Sequence, residues 1–398
     1  MTGLRLAAAV VAAQVLAQIG AFALPALLPG FIDRWELSGA EAGWMVGMFF
    51  AGYVAAVPVL VALTDRMAAR RIYVLGALCT ALSHLGFVLV ADGFWDGVAL
   101  RALAGVGWAG CYMPGLRVLA DRLGGDAQAR AVGWHAAGVG VSGAASFLLA
   151  GALDAWFGWR AAFLFCGLAA LGALAIGALV MPRTAPARRA TGGLLDFRPV
   201  LKNRAAMAWI VGYTVHTWEM AVVRAWGVTF LTVAAAQQAA PAWLPAPSVT
   251  IALAGLLGIV VSLTGNELSV RLGRGRVVSL AMAAGGALAL GVGAALAGGP
   301  VWAAAAVLLW YAAIFLDSSA LTAGTVQAAE PARRGATMGL HSMCGYAGGF
   351  IGPLAAGAAL DLFGHDTLQG WALAFGHVAP FLFAGLWLLR RLGGARPG

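Results

Sequence analysis

The sequence predicts an all-α, polytopic membrane protein with twelve transmembrane helices in two pseudo-symmetric six-helix bundles. Three observations predict it. Of the 398 residues, 62% are hydrophobic and 10% charged, whereas soluble domains are roughly 45–50% apolar and about 25% charged. The apolar residues gather into runs near the roughly 20 residues that cross a hydrocarbon layer. The second half of the chain repeats features of the first at an offset of about 206 residues.

In order, the spans are expected near 7–31, 43–63, 72–92, 98–120, 133–153, 161–181, 207–232, 249–269, 277–297, 300–324, 335–358 and 371–389. The first follows Arg5 and runs apolar from Leu6 to Leu28. That is longer than the roughly 7–15 residues of a signal-peptide core, so it is read as an uncleaved span. The second opens on Ser38 and Glu41, an S-x-x-E capping box. Glycine is abundant, with 56 residues, and small residues let membrane helices approach closely. Gly138, Gly140 and Gly143, and Gly345, Gly348, Gly349 and Gly352, are read first as packing positions, with Gly352-Pro353 as a bending point in the alternative reading. Cys79, Cys111, Cys166 and Cys344 lie in apolar helical segments without metal-ligand spacing and read as small buried hydrophobes.

Net charge is +9, but no basic face interleaved with aromatics forms, so nucleic acid is not an expected partner. Placing the N-terminus in the cytoplasm puts 21 of the 25 basic residues on that side. Arg34 and Arg160 fall in outer loops, and Arg101 and Arg224 lie within spans. This asymmetry predicts cytoplasmic N- and C-termini in a bacterial inner membrane. Lys202 is the single lysine and follows no glycine-rich loop, so no P-loop ATPase module is expected. The spans also lack a nucleophile–base pair, a metal cluster and a cofactor fingerprint, so no enzyme and no cofactor are expected.

The internal repeat runs through four matches in the same order. TDRMAARR (64–71) is answered by SVRLGRGR (269–276), and Gly133-Trp-His135 by Gly339-Leu-His341. AGALD ending at Asp154 is answered by AGAALD ending at Asp361, and GWRAAF (158–163) by GWALAF (370–375). Residues 1–181 are expected to form an N-terminal six-helix bundle, 182–206 a cytoplasmic linker, and 207–398 a C-terminal six-helix bundle. Parallel repeats of this kind are related by an axis along the membrane normal, with the binding site near the midplane.

With these motifs the chain resembles the major facilitator superfamily over its whole length. Asp65, Arg66, Arg70 and Arg71 match the family's loop 2–3 signature, and Arg271, Gly273 and Arg274 keep part of it in the second copy. Arg101, Gly105 and Gly107 match the span 4 signature R-x-x-x-G-x-G. Span 5 has the glycines of the antiporter signature but no proline, and there is some likeness to cyanate and nitrate/nitrite porters. The resemblance implies secondary transport by rocking two halves, and a gating role for Asp65, Arg66, Arg70, Arg71, Arg271 and Arg274. It also implies that spans 1, 4, 7 and 10 line a central cavity.

Charges at bilayer depth are the candidate site. Glu219 and Arg224 lie near the middle of span 7, where a charge costs at least ~2.5–3.5 kcal/mol. Five residues apart they do not share a helix face, so each is expected to answer another helix or a ligand. His216, Glu219 and Trp226 do share one. Asp317 is the other deep acid, and its structural alternative is a pair with Arg224 or another arginine. Gln14 and Gln18 add polar groups on span 1, and Trp108, Tyr112, Trp218, Trp310 and Tyr311 are candidate walls, although packing is the simpler role for each aromatic. Arg101 has the alternative of an internal structural tie.

The expected substrate-binding residues are therefore Arg224, Arg101, His216, Trp218, Trp226, Gln14, Gln18, Trp310 and Tyr311, with Glu219 and Asp317 carrying a proton. Burial penalises the charged form of a carboxylate, the property a proton carrier needs. The expected activity is symport of a small anionic solute with protons by a monomer in the lipid bilayer. The alternatives are proton-coupled efflux of hydrophobic or cationic compounds and, in another class, a non-transporting membrane sensor or scaffold.

Overall fold

The computed structural model describes residues 3–64, 66–183 and 197–392. Among these residues every regular element is a helix. The first six spans are α1 (Gly3–Gln18) with α2 (Ala23–Trp35), α3 (Gly39–Leu63), α4 (Ala69–Leu89), α5 (Phe94–Ala120), α6 (Gly125–Phe157) and α7 (Trp159–Leu179). A short helix, α8 (Arg198–Lys202), precedes α9 (Arg204–Gln237), α10 (Pro247–Leu272), α11 (Arg274–Val292) and α12 (Pro300–Phe315) with α13 (Ser318–Ala328). Then come α14 (Arg334–Phe363) and α15 (Leu368–Gly376) with α16 (Val378–Leu392). Eleven helical segments of the described residues are long and apolar enough to cross a membrane. The remaining expected span, α5, is long enough but carries Asp96, Arg101 and Arg117.

The starts of α3 and α9 have side chains that cover free N–H groups. Ser38 N donates to Glu41 Oε2 (2.9 Å) and Glu41 N to Ser38 Oγ (3.2 Å), the capping box expected from the sequence. The expected linker falls largely on 184–196, outside the described residues. At its end Asn203 Oδ1 accepts from Ala206 N (3.1 Å) and caps α9, while its amide donates to Ala328 O (2.8 Å) at the end of α13.

Three spans expected to be continuous are broken. The first breaks between Gln18 and Ala23, the tenth at Leu316–Asp317 and the last at His377. In a bilayer a broken helix needs side chains to meet the freed backbone groups, and the first and last breaks have them. At the first, Arg101 Nη2 donates to Ala21 O (3.1 Å), Phe22 N donates to Ser146 Oγ (3.0 Å), and His84 Nε2 lies 3.0 Å from Gly20 O. At the last, Trp218 Nε1 donates to His377 Nε2 (3.0 Å), which leaves His377 Nδ1–H to donate to Ala374 O (2.8 Å). Hydropathy averaged over a window does not register such interruptions.

The chain forms two compact units, Met1–Leu27 with Met48–Leu194, and Leu28–Gly47 with Leu195–Gly398. In the first, Val10, Tyr73, Cys111 and Val118 are buried together among α1, α4 and α5. In the second, the first half of α3 packs on α14. A Cβ at Gly39, Gly43 or Gly47 would run into Gly357 O, Pro353 O or Phe350 O. At the head of this seam Asp361 Oδ1 accepts from Gly39 N (2.6 Å) and Oδ2 from Ala40 N (2.8 Å), with His365 Nε2 3.0 Å from Oδ1. Asp361→Ala is expected to remove both acceptors and lower stability by about 1 kcal/mol, the worth of a helix cap, read as a lower melting temperature of the detergent-solubilised protein.

Candidate functional site

The deep polar groups of the second unit converge around α9. Glu219 is 2% exposed. Trp310 Nε1 on α12 donates to its Oε1 (2.6 Å), and a Cβ at Gly285 on α11 would lie 2.7 Å from the same oxygen. The carboxylate thus fits a slot between three helices, roofed by an indole that can only donate. Asp317 is 3% exposed and sits at the break between α12 and α13. His216 Nδ1 approaches Asp317 Oδ1 to 2.9 Å, at ion-pair distance but without hydrogen-bond alignment. An acid at a helix break is where transporter folds place ion and substrate groups.

Arg224, five residues beyond Glu219 on α9, is half-buried. Its Nε donates to Tyr311 Oη (3.1 Å), and its guanidinium carbon lies 5.5 Å from the centre of the Phe315 ring. Tyr311 stacks on Phe315 at 5.1 Å, so the two rings form one wall against the cation. Arg224 is thus held in place while part of its surface stays accessible.

The stripe of His216, Glu219 and Trp226 expected on one face of α9 divides among three partners. His216 meets Asp317 and Glu219 meets Trp310. Trp226 is fully buried, donates from Nε1 to Pro353 O (2.9 Å) and packs edge-on against Trp371. Trp218 stacks on Phe381 at 4.6 Å as well as bonding His377. The two acids were expected to look onto an aqueous hollow. In this structure both are shielded, and the groups named beside them belong to their own unit.

In the first unit Gln14 and Gln18 are fully buried. Gln14 Nε2 donates to His135 O (2.9 Å) and more weakly to Gln18 Oε1 (3.3 Å). Arg101 is 1% exposed, ties the first-span break, and lies 4.8 Å over the Phe49 ring. Trp108 is buried, and Tyr112 packs on His135 at 5.3 Å.

Of the expected gating residues, Asp65 lies outside the described residues, and Arg66 and Arg71 are exposed. Arg70 Nε donates to Gly177 O (3.0 Å), with a second bond to Ala178 O, capping the end of α7 in its own unit. Arg271 Nε bonds Glu267 Oε1 (2.7 Å) one turn back on α10, and Arg274 bonds Gln327 of α13.

Sequence reasoning missed Tyr213, Thr325 and His341. Tyr213 stacks on His341 (3.8 Å) and on His216 (5.8 Å), and His341 Nδ1 lies 3.0 Å from Thr325 Oγ1. The available signal was the repeat, which aligns His341 with His135, each against a tyrosine.

Known proteins share this architecture and part of this sequence. Human monocarboxylate transporter 11 is 32% identical over 161 residues, covering 40% of this chain and 33% of that protein. Rat monocarboxylate transporter 13 is 28% identical over 195 residues, covering 46% and 44%. The matched stretch therefore spans less than half of each of these relatives. Among solved structures, the nucleoside transporter NupG superposes with a TM-score of 0.77 at 14% identity over the full length of both chains. The peptide transporter POT in complex with sulfate gives 0.76 at 14% identity, also over both full lengths. A bacterial homolog of the human lysosomal transporter Spinster gives 0.71 at 17% identity, covering 98% of this chain and 95% of that one. Those likenesses rest on fold alone. A sequence model matching residues 10–353 joins them to the helix order described above, and the chain belongs to the Major Facilitator Superfamily.

Proposed function

We propose that this protein is a secondary active transporter of small organic anions of the monocarboxylate class, moved by alternating access together with protons. Arg224 carries the reading. It is a permanent cation at mid-depth, oriented by Tyr311 and Phe315, and it keeps an accessible face while the nearby acids are shielded. A guanidinium presents a planar fork that matches a carboxylate. The names of the relatives above point to the same chemistry. Glu219, and Asp317 with His216, are the proton-carrying groups of the proposal. The expected placement is a monomer in a bacterial inner membrane with both termini cytoplasmic.

The test is uptake into proteoliposomes of graded monocarboxylates and of organic cations, with and without an inward proton gradient. Gradient-stimulated uptake of the monocarboxylates is expected. Stimulated movement of the cations instead would replace this reading with efflux of cationic compounds, and saturable binding without flux would replace it with a sensor. Arg224→Gln is expected to cut kcat/KM for the anion by about 10- to 100-fold, the worth of a charged hydrogen bond of about 1.5–3 kcal/mol. Arg224→Lys, which keeps the charge and loses the fork, is expected to fall between.

A further inference from the structure

His341 has no place in the transport reading so far, yet it completes a ladder of proton-bearing groups. Glu219 lies roughly 22 Å along α9 from its basic end at Arg204, His216 roughly 18 Å and Tyr213 roughly 13 Å, at 1.5 Å per residue. His341 lies roughly 10 Å along α14 from Arg334 on the same measure. The groups against it are Tyr213 from α9 and Thr322 and Thr325 from α13; Tyr213 in turn stacks on His216, which meets Asp317.

The hydrogen bonds fix which imidazole nitrogen is available. Thr325 Oγ1 donates to Leu321 O (3.1 Å), so its one hydroxyl proton is committed. It therefore accepts from His341 Nδ1–H at 3.0 Å. That leaves His341 Nε2 with its lone pair and a weak neighbour, Thr322 Oγ1, at 3.4 Å. His216 is arranged in parallel. Its Nδ1 faces Asp317 at 2.9 Å, and its Nε2 is buried without a hydrogen-bond partner. Tyr213 holds the two imidazoles in one stack.

We propose that His341 is the residue through which the buried His216–Asp317 pair exchanges its proton with water at the basic end of the helices. The inference rests on the proton-coupled reading above. The His216 imidazolium gives up its Nε2 proton to a water molecule and becomes neutral, keeping Nδ1–H toward Asp317. Water around Tyr213 passes a proton on to His341 Nε2. His341 becomes an imidazolium with Nδ1–H still on Thr325, and then releases the Nε2 proton to bulk water. Each histidine takes and gives its proton on Nε2, so neither Nδ1 contact breaks. His135, the repeat counterpart, sits on Tyr112 in a neighbourhood of Gln14 and Gln18. The ladder is therefore a property of the second unit alone.

The test compares two fluxes in proteoliposomes containing a pH-sensitive dye, with lactate as the monocarboxylate probe. Net uptake driven by a proton gradient requires proton release on each cycle. Exchange of lactate against lactate does not. His341→Gln retains a side chain that can bond Thr325 but cannot carry the proton. It is expected to lower net uptake and dye response by about a hundredfold, the scale of a lost acid–base group, with exchange unchanged. Intact exchange also shows that the variant is folded. Thr325→Val leaves the imidazole but frees its Nδ1, and is expected to give a smaller loss of net uptake with the same intact exchange. Net uptake and exchange unchanged in both variants would overturn the assignment, as would their falling together. Wild-type lactate flux without a dye response would overturn the proton-coupled reading, and the relay with it.

Discussion

Glu219→Gln is expected to abolish proton-driven accumulation of solute while leaving exchange and folding intact. The reason is local. Trp310 Nε1–H donates to Glu219 Oε1 at 2.6 Å, and a glutamine can offer its amide oxygen to the same donor. Gly285 leaves room for a terminal group of that size. The substitution therefore copies the shape and hydrogen bonding of the protonated acid and removes only the exchangeable proton. Because a charge at bilayer depth costs at least ~2.5–3.5 kcal/mol, the neutral variant should melt no lower than the wild type. Gradient-driven accumulation with an unaltered pH profile in this variant would remove Glu219 from the coupling machinery. Gly285→Ala is a useful companion, since its methyl would crowd the carboxylate without changing its chemistry.

Gly105→Leu is expected to have the largest effect on stability. A Cβ at Gly105 would overlap Phe49 O and lie 2.8 Å from Tyr53 N, both backbone atoms of α3. Backbone cannot rotate aside as a side chain can, so the two helices must move apart. Overpacking a tight site costs about 1–3 kcal/mol, occasionally more. Loss of α3–α5 contact across their whole crossing places this variant at the upper end. The measurement is the melting temperature of purified protein, with Gly30→Ala as the control, because nothing lies within 4 Å of a Cβ there. A Gly105→Leu protein that melts with the wild type would mean the α3–α5 contact is not tight. Gly107 and Gly110 play the same part toward α4, where a Cβ would strike Thr80 and Gly76.

These two cases divide what was legible in the sequence from what was not. Arg101, Gly105 and Gly107 were visible as a motif through the resemblance. Their physical meaning came from three dimensions: Gly105 and Gly107 are close-approach points, and Arg101 holds Ala21 O where the first span breaks. Glu219 and Asp317 were legible as expensive charges at depth. Their partners were not, because Trp310 is 91 positions from Glu219 and nothing local encodes that distance. Arg70 shows the same limit. The resemblance implied a gating role for it, and the structure shows it covering the last carbonyls of α7.

By itself the sequence determined the helical membrane class, the near-complete set of spans, the capping box at Ser38 and Glu41, and the residues whose charge needs an explanation. Those follow from hydropathy, span length and local hydrogen bonding, which act within one stretch of chain. Tertiary structure alone decided the breaks at Gln18, Asp317 and His377, the contact of His216 with Asp317, and the stacking of His341 on Tyr213. Each of these depends on what a neighbouring helix offers a buried polar group, and inside a bilayer no water stands ready to offer it instead.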